Sequence, residues 1–172
     1  MRTQRGTSRT RGIAALEFAL VMPLLVTILV GLWEVGRLIQ LQQMLSNAAR
    51  EGARLAAQSQ TINSTGTPTQ ISLSTGSPNV KQQVVNYLKQ AGLNVNTNDV
   101  TVTFAFTTGD TTKTQPYQGT KGQRFRVTVE LPISSLRWTA LKLTNVVKLT
   151  STVNWTCLVD DPFTIDTTIP SW

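Results

Sequence analysis

Apolar residues follow one another almost without interruption from Ile13 to Trp33, and Glu17 is the only charge among them. At about 1.5 Å per residue such a run is long enough to cross a hydrocarbon layer of about 30 Å. After Glu34 the pattern turns amphipathic without a break. Leu38, Leu41, Leu45, Ala48 (or Ala49) and Leu55 recur at roughly helical spacing between Gln40, Gln42, Gln43, Ser46 and Asn47. Ala48, Gly52 and Ala56 form one row of small residues, and Ala49, Ala53 and Ala57 form another. Glu34 with Arg37 and Glu51 with Arg54 stand three apart, the spacing of weak ion pairs on a helix surface. The spacing predicts one helix over 13–58, about 69 Å long at the standard rise. Its outer part is a stalk whose stripe must be buried on its own domain, on a partner helix, or on both.

Residues 59–79 are rich in Thr, Ser, Asn, Gly and Pro and read as an exposed linker. A short helix is predicted over 79–92, with Asn79 as its cap, Val80, Val84, Tyr87 (or Leu88) and Ala91 on one face, and Gly92 as its end. Strict alternation then takes over. Val100, Val102, Phe104 and Phe106 share one face of a strand, and Phe125, Val127, Val129 and Leu131 share one face of a second that Pro132 ends. A long loop, 107–122, joins them. A third strand carries Val147, Leu149, Val153, Trp155 and Cys157 inward and Lys148, Thr150, Thr152, Asn154 and Thr156 outward. Between the last two, 133–145 reads as a loop or a helical turn around Leu136, Trp138 and Leu141. The fold class is α+β: a long N-terminal transmembrane and stalk helix packed on a small antiparallel β-sheet, with one further short helix. The domain boundaries are a basic leader over 1–12, the helix over 13–58, the linker over 59–79 and a small domain over 80–172.

The run at 13–33 admits three readings. It is too long for an ordinary signal peptide, and Glu34-Val35-Gly36-Arg37 makes a poor cleavage site. A buried helix of a soluble protein fits poorly, because the segment is apolar on every side and follows a basic flank. A single-pass anchor fits both. Residues 1–12 hold Arg2, Arg5, Arg9 and Arg11 and no acid, which keeps the N-terminus cytoplasmic and places the rest across the bilayer. Within the run, Ala15 and Ala19 are a small-xxx-small pair that lets helices approach closely. Pro23 lacks the amide hydrogen that the helix needs one turn back, a weakness that membrane helices tolerate.

Glu17 has two readings. In one it sits at the interface, held by Arg11 or by lipid headgroups. In the other it finds a partner in a neighbouring copy. A cut after Gly12 would make Ile13 residue one, and its ammonium could neutralise the carboxylate of Glu17 in a bundle of parallel helices. Such a pair gives register more than stability.

Charge and composition narrow the rest. The chain of 172 residues carries a formal +7, but without the four leader arginines twelve basic residues face nine acidic ones, a net of +3. No basic block with interleaved aromatics remains, so no nucleic-acid partner is expected. There is no histidine and one cysteine, Cys157, which excludes an internal disulfide and a zinc site of the Cys/His type. No cofactor is expected. Asp160-Asp161 is the only adjacent acid pair, beside Pro162 in what reads as a solvated turn. With no nucleophile next to a base and no phosphate-cradling glycine loop, the chain is not expected to be an enzyme.

The residues Arg11-Gly12-Ile13-Ala14-Ala15-Leu16-Glu17-Phe18 through Leu25, then Gly36-Arg37, then Asn47-Ala48-Ala49-Arg50-Glu51-Gly52-Ala53-Arg54 resemble the TadE-like family of pseudopilin-like proteins. These serve bacterial tight-adherence (Flp, type IVc) pilus systems. The resemblance covers residues 11–57 and implies a pilin-like fold. It further implies that a prepilin peptidase cuts between Gly12 and Ile13, and that Glu17 is the family's glutamate five residues past the cut. Phe18 stands where the major pilins usually have tyrosine, and the chain is longer than they are. Both departures suit a minor pseudopilin or assembly factor. The partners implied are the lipid bilayer, other pilin or pseudopilin subunits through their N-terminal helices, the pilus assembly platform and the prepilin peptidase. The location implied is the bacterial cytoplasmic membrane, with incorporation into a pilus. The alternative is an uncleaved single-pass envelope protein whose extracytoplasmic domain binds another secretion or envelope component.

Overall fold

The computed structural model describes residues 7–135 and 148–158. Helix α1 runs from Thr7 to Ala57, unbroken through Gly12 and Pro23. The chain divides into two compact units, residues 1–40 and 41–172. α1 begins six residues before the start predicted at Ile13, because nothing in Thr7–Gly12 forces the chain to stop and Thr, Ser and Arg all extend a helix already nucleated by the apolar run. Pro23 leaves the carbonyl of Ala19 without its usual amide donor. One turn on, Thr27 Oγ1 donates to the Pro23 carbonyl at 2.8 Å, so this hydroxyl is satisfied inside its own helix.

The second unit opens with the last turns of α1. Leu41, Leu45, Ala48, Ala49, Ala53, Ala56 and Ala57 are buried there, while Gln43, Asn47, Arg50 and Arg54 are exposed. α2 (Val80–Gln90) buries Val80, Val84, Val85 and Leu88. Asn79 caps it, its side chain accepting from the Gln82 amide at 2.7 Å, and Gly92 takes the left-handed conformation (φ +90°) that lets the chain turn off the helix end. Where the two helices meet, Glu51 accepts from Arg54 at 2.7 Å and from Gln83 of α2 at 3.2 Å. The Arg54 hydrogen bond is the main reason its carboxyl titrates below the ordinary value.

The stretch read as a linker carries structure. β1 (Gln60–Ile62) and β2 (Pro68–Gln70) form an antiparallel hairpin, Gln60 opposite Gln70 and Ile62 opposite Pro68. Side-chain chemistry builds its turn. Asn63 Oδ1 accepts from the amides of Thr65 (3.1 Å) and Thr67 (2.8 Å) and from the Thr65 hydroxyl (2.7 Å), and Gly66 supplies a positive φ. Ile71 then anchors the segment, fully buried. Three-residue polar strands leave no apolar alternation to read, and that is why the composition looked like plain loop.

Three strands complete the unit: β3 (Thr101–Phe106), β4 (Arg124–Pro132) and β5 (Lys148–Thr156), an antiparallel meander with β4 in the centre. Register puts Phe104, Val127 and Val153 in one row and Phe106, Phe125 and Trp155 in another. Phe104, Phe106 and Phe125 pack edge-on or tilted, with centroids 4.9–6.5 Å apart. β4 alternates cleanly, burying Phe125, Val127, Val129 and Leu131. On β5 the inward face is only partly covered: Ser151 is buried, Val153 half-buried and Trp155 exposed. The loop from Thr107 to Gly122 is held by the buried Gln123, whose side chain donates to the Thr108 carbonyl and accepts from the Thr120 amide. A 3₁₀ turn, Pro116–Gln118, lies within it, and another, Ile133–Ser135, follows β4. Leu136, Trp138, Leu141, Val147, Asp160, Asp161 and Trp172 lie outside the described residues.

Two buried polar groups give direct tests of this packing. Ser59, just past α1, has φ +57° and a buried hydroxyl that finds no hydrogen-bond partner among the described residues. Left-handed backbone disfavours any side chain, and an orphaned hydroxyl costs about 1–3 kcal/mol. Ser59→Gly removes both penalties and is expected to raise stability by about 1 kcal/mol despite the looser unfolded chain, read as an upward shift of the denaturation midpoint. Cys157 is buried beside Gly119 and Phe106, and burial pushes its thiol up to about 11. At pH 8 only about 0.1% is then thiolate, against about a quarter for a free cysteine, so a disulfide reagent should react at least about 200-fold more slowly with folded than with denatured chain. A thiol that reacts at the free-cysteine rate under native conditions would show that this corner of the unit opens readily.

Candidate functional site: the exposed N-terminal helix

The candidate site is the apolar first part of α1, and what marks it is lack of cover. From Ile13 to Leu29 every residue is exposed, including Leu16 at 70% and Leu20 at 76%. An isolated protein in water does not leave so large an apolar surface bare; a contiguous patch of this kind marks a membrane or protein contact. By length and composition this helix is a candidate membrane span, and none of its most apolar window is buried.

Gly12 and Ile13 both lie within α1, so the peptide bond between them is helical, and Ile13 is exposed. Glu17 follows Ile13 by one helical turn and therefore shares its face. Glu17 is exposed, and among the described residues no cation pairs with it. The side chain of Arg11 lies outside the described residues. Ala15 and Ala19 are exposed one turn apart, which keeps the backbone between them open to close approach by another helix. Pro23 is exposed another turn on. The structure thus sets Ile13, Ala15, Glu17, Ala19 and Pro23 along the uncovered part of the helix that also holds Gly12.

Ala48, Gly52 and Ala56 are placed differently. Both alanines are fully buried, and a Cβ on Gly52 would stand 2.7 Å from Val84 Cγ2 and 3.3 Å from Val80 Cγ1. Within this small-residue row, Gly52 is seated against Val80 and Val84 of α2 of the same chain. The row is not a free surface.

Sequence reasoning passed over one feature. Arg37 sits over the Trp33 ring, 5.5 Å from its centroid, at the end of the apolar run. The four-residue spacing of Trp and Arg is its signal, and a tryptophan beside a cation is what a helix presents where hydrocarbon meets water. With the leader arginines at the other end, the apolar segment is bracketed by groups suited to the two interfaces. Among the described residues no three His, Cys, Asp or Glu side chains converge as a metal site.

Residues 12–54, a quarter of the chain, match the family model of TadE-like proteins. The match begins at Gly12 and takes in Glu17, the whole apolar run and most of the turns of α1 that the second unit buries. No curated protein and no solved structure matches the chain.

Proposed function

We propose that this chain, with its TadE-like N-terminal segment, is a membrane-anchored minor pseudopilin or assembly factor of a tight-adherence (Flp) type IV pilus. The observation that carries the proposal is the coincidence of the family match with a helix whose apolar part is uncovered from Ile13 onward. In this reading the helix sits in the bacterial cytoplasmic membrane. The arginine leader stays cytoplasmic, Trp33 and Arg37 meet the outer interface, and the unit from Leu41 onward is extracytoplasmic. A prepilin peptidase cuts between Gly12 and Ile13. Glu17 then neutralises the new ammonium of Ile13 on a neighbouring pilin or pseudopilin while the assembly platform gathers the helices, with Ala15 and Ala19 at the contact.

One observation favours the alternative, an uncleaved single-pass envelope protein that binds another secretion component. The Gly12–Ile13 bond is helical, and a protease needs an extended substrate, so the first turns of α1 must unwind before cutting. Glycine at that point lowers the cost, since it weakens a helix by about 1 kcal/mol relative to alanine. Intact mass and N-terminal sequencing of the protein isolated from its host membrane separate the two readings. A chain starting at Ile13 is the expected result. A chain retaining residues 1–12 would leave the anchored, uncleaved protein.

A further inference from the structure

We propose that the outer face of the three-stranded sheet is a binding surface for an acidic polysaccharide, a chain bearing uronate carboxylates. The inference stands apart from the fate of the N-terminal helix. The face follows from register. Thr103, Thr128 and Thr152 lie side by side across β3, β4 and β5, and the neighbouring rows bring Thr101 beside Glu130 and Thr150, and Ala105 beside Arg126 and Asn154. Of these, Thr101, Thr103, Ala105, Arg126, Thr150, Thr152 and Asn154 are exposed. The backbones that carry these threonines repeat at about 4.8 Å across the strands and about 7 Å along them, and the hydroxyls of Thr128 and Thr152 share a hydrogen bond of 3.2 Å.

Charge on this face is lopsided. At one end Lys148 is taken up by Glu130, with contacts of 2.9 and 3.0 Å. At the other end Arg124 and Arg126 project from the same side of β4, and among the described residues no carboxylate pairs with either. Arg126 Nε donates to Asn154 Oδ1 at 3.1 Å, which orients the guanidinium and leaves its terminal nitrogens to an incoming group. Two arginines whose backbones stand about 7 Å apart on one side of a strand suit carboxylates presented in series, because each guanidinium fork matches a carboxylate in bidentate fashion.

The chemistry of the face selects among anionic partners. A protein partner would want a buried aromatic or aliphatic anchor, and Ala105 is the largest apolar group in these rows. A lipid surface would want an apolar wedge, and a single-stranded nucleic acid would want aromatic platforms, and these rows offer neither. A polysaccharide presents hydroxyls at intervals comparable to the threonine rows, and each threonine hydroxyl both donates and accepts. Uronate carboxylates supply the charge that the arginine end lacks.

The test uses full-length protein in detergent, titrated with oligogalacturonate, with neutral dextran, double-stranded DNA and anionic phospholipid vesicles as comparisons. Saturable binding of oligogalacturonate is expected, with none to dextran. The pair Arg124→Gln and Arg126→Gln should weaken it by about tenfold or more and flatten its salt dependence. Thr103→Val with Thr152→Val keeps the shape and the strand preference, and should weaken it by about threefold. Unchanged thermal midpoints certify that the variants fold. The proposal is overturned if oligogalacturonate does not bind, if either pair of substitutions leaves binding unchanged, or if DNA or vesicles bind as tightly at equal charge.

Discussion

Gly52→Leu should strongly destabilise the unit that begins at Leu41. Even the first carbon of a side chain at this position would stand 2.7 Å from Val84 Cγ2 and 3.3 Å from Val80 Cγ1. Both valines are fully buried on α2, so they have no free volume to move into. Overpacking typically costs about 1–3 kcal/mol, and leucine adds three more carbons to the clash. A loss of about 3 kcal/mol or more is expected, seen as a fall in the denaturation midpoint of the full chain in detergent. Gly52→Ala sharpens the argument. On an open helix surface it would stabilise by about 1 kcal/mol through propensity, whereas here it should destabilise. Gly31 and Gly36 are the internal controls, since a Cβ at either meets nothing within 4 Å, and alanine there should be neutral or favourable. If Gly52→Leu kept the wild-type midpoint, α2 would not be seated on this row.

The row itself shows where sequence and structure part company. Ala48, Gly52 and Ala56 are visible in the sequence as a close-packing stripe, but a stripe does not name its partner. Either α2 or a helix of another copy satisfies the pattern equally well, and only the tertiary structure sets Gly52, the middle of the row, against Val80 and Val84. The longer elements were legible because their physics is local. Phe125, Val127, Val129 and Leu131 alternate because β4 has one wet face, and Asn79 announces α2 because an unpaired amide of the first turn needs its side chain. The β1–β2 hairpin was not legible. Its strands are three residues long, and the bonds to Asn63 that shape it join residues two and four apart, a pattern that polar composition hides. The helical turns before Ile13 escaped for a related reason, because polar residues extend a helix without marking it. The candidate site was legible in its residues and not in its completion. Glu17 is conspicuous as the one charge in an apolar run, but among the described residues nothing pairs with it, and the proposed partner belongs to another chain.

Substitutions at Gly12 and Glu17 should therefore fail at different steps. Gly12→Val places a branched side chain at the proposed cut and removes the residue that most readily leaves the helix, so the first twelve residues should stay attached and processing should fall by about tenfold or more. Glu17→Ala leaves the cut site as it is. Processing should stay within about threefold of wild type, while incorporation into a pilus falls steeply. Removing one partner of a buried ion pair costs about 3–5 kcal/mol, because the ammonium of Ile13 is left unpaired in hydrocarbon. At 1.4 kcal/mol per factor of ten, incorporation should drop by roughly 100-fold to 4,000-fold. Intact mass of the membrane-bound protein reads the first step, and quantitative blotting of sheared pili reads the second. Glu17→Gln separates charge from shape, for it keeps a hydrogen-bond acceptor and loses the negative charge. Neutralisation as the essential role predicts that Gln resembles Ala. If Glu17→Ala were processed and assembled like wild type, the carboxylate would belong to the membrane interface, held by the leader or by lipid headgroups. The close contact between copies would then rest on Ala15 and Ala19 alone.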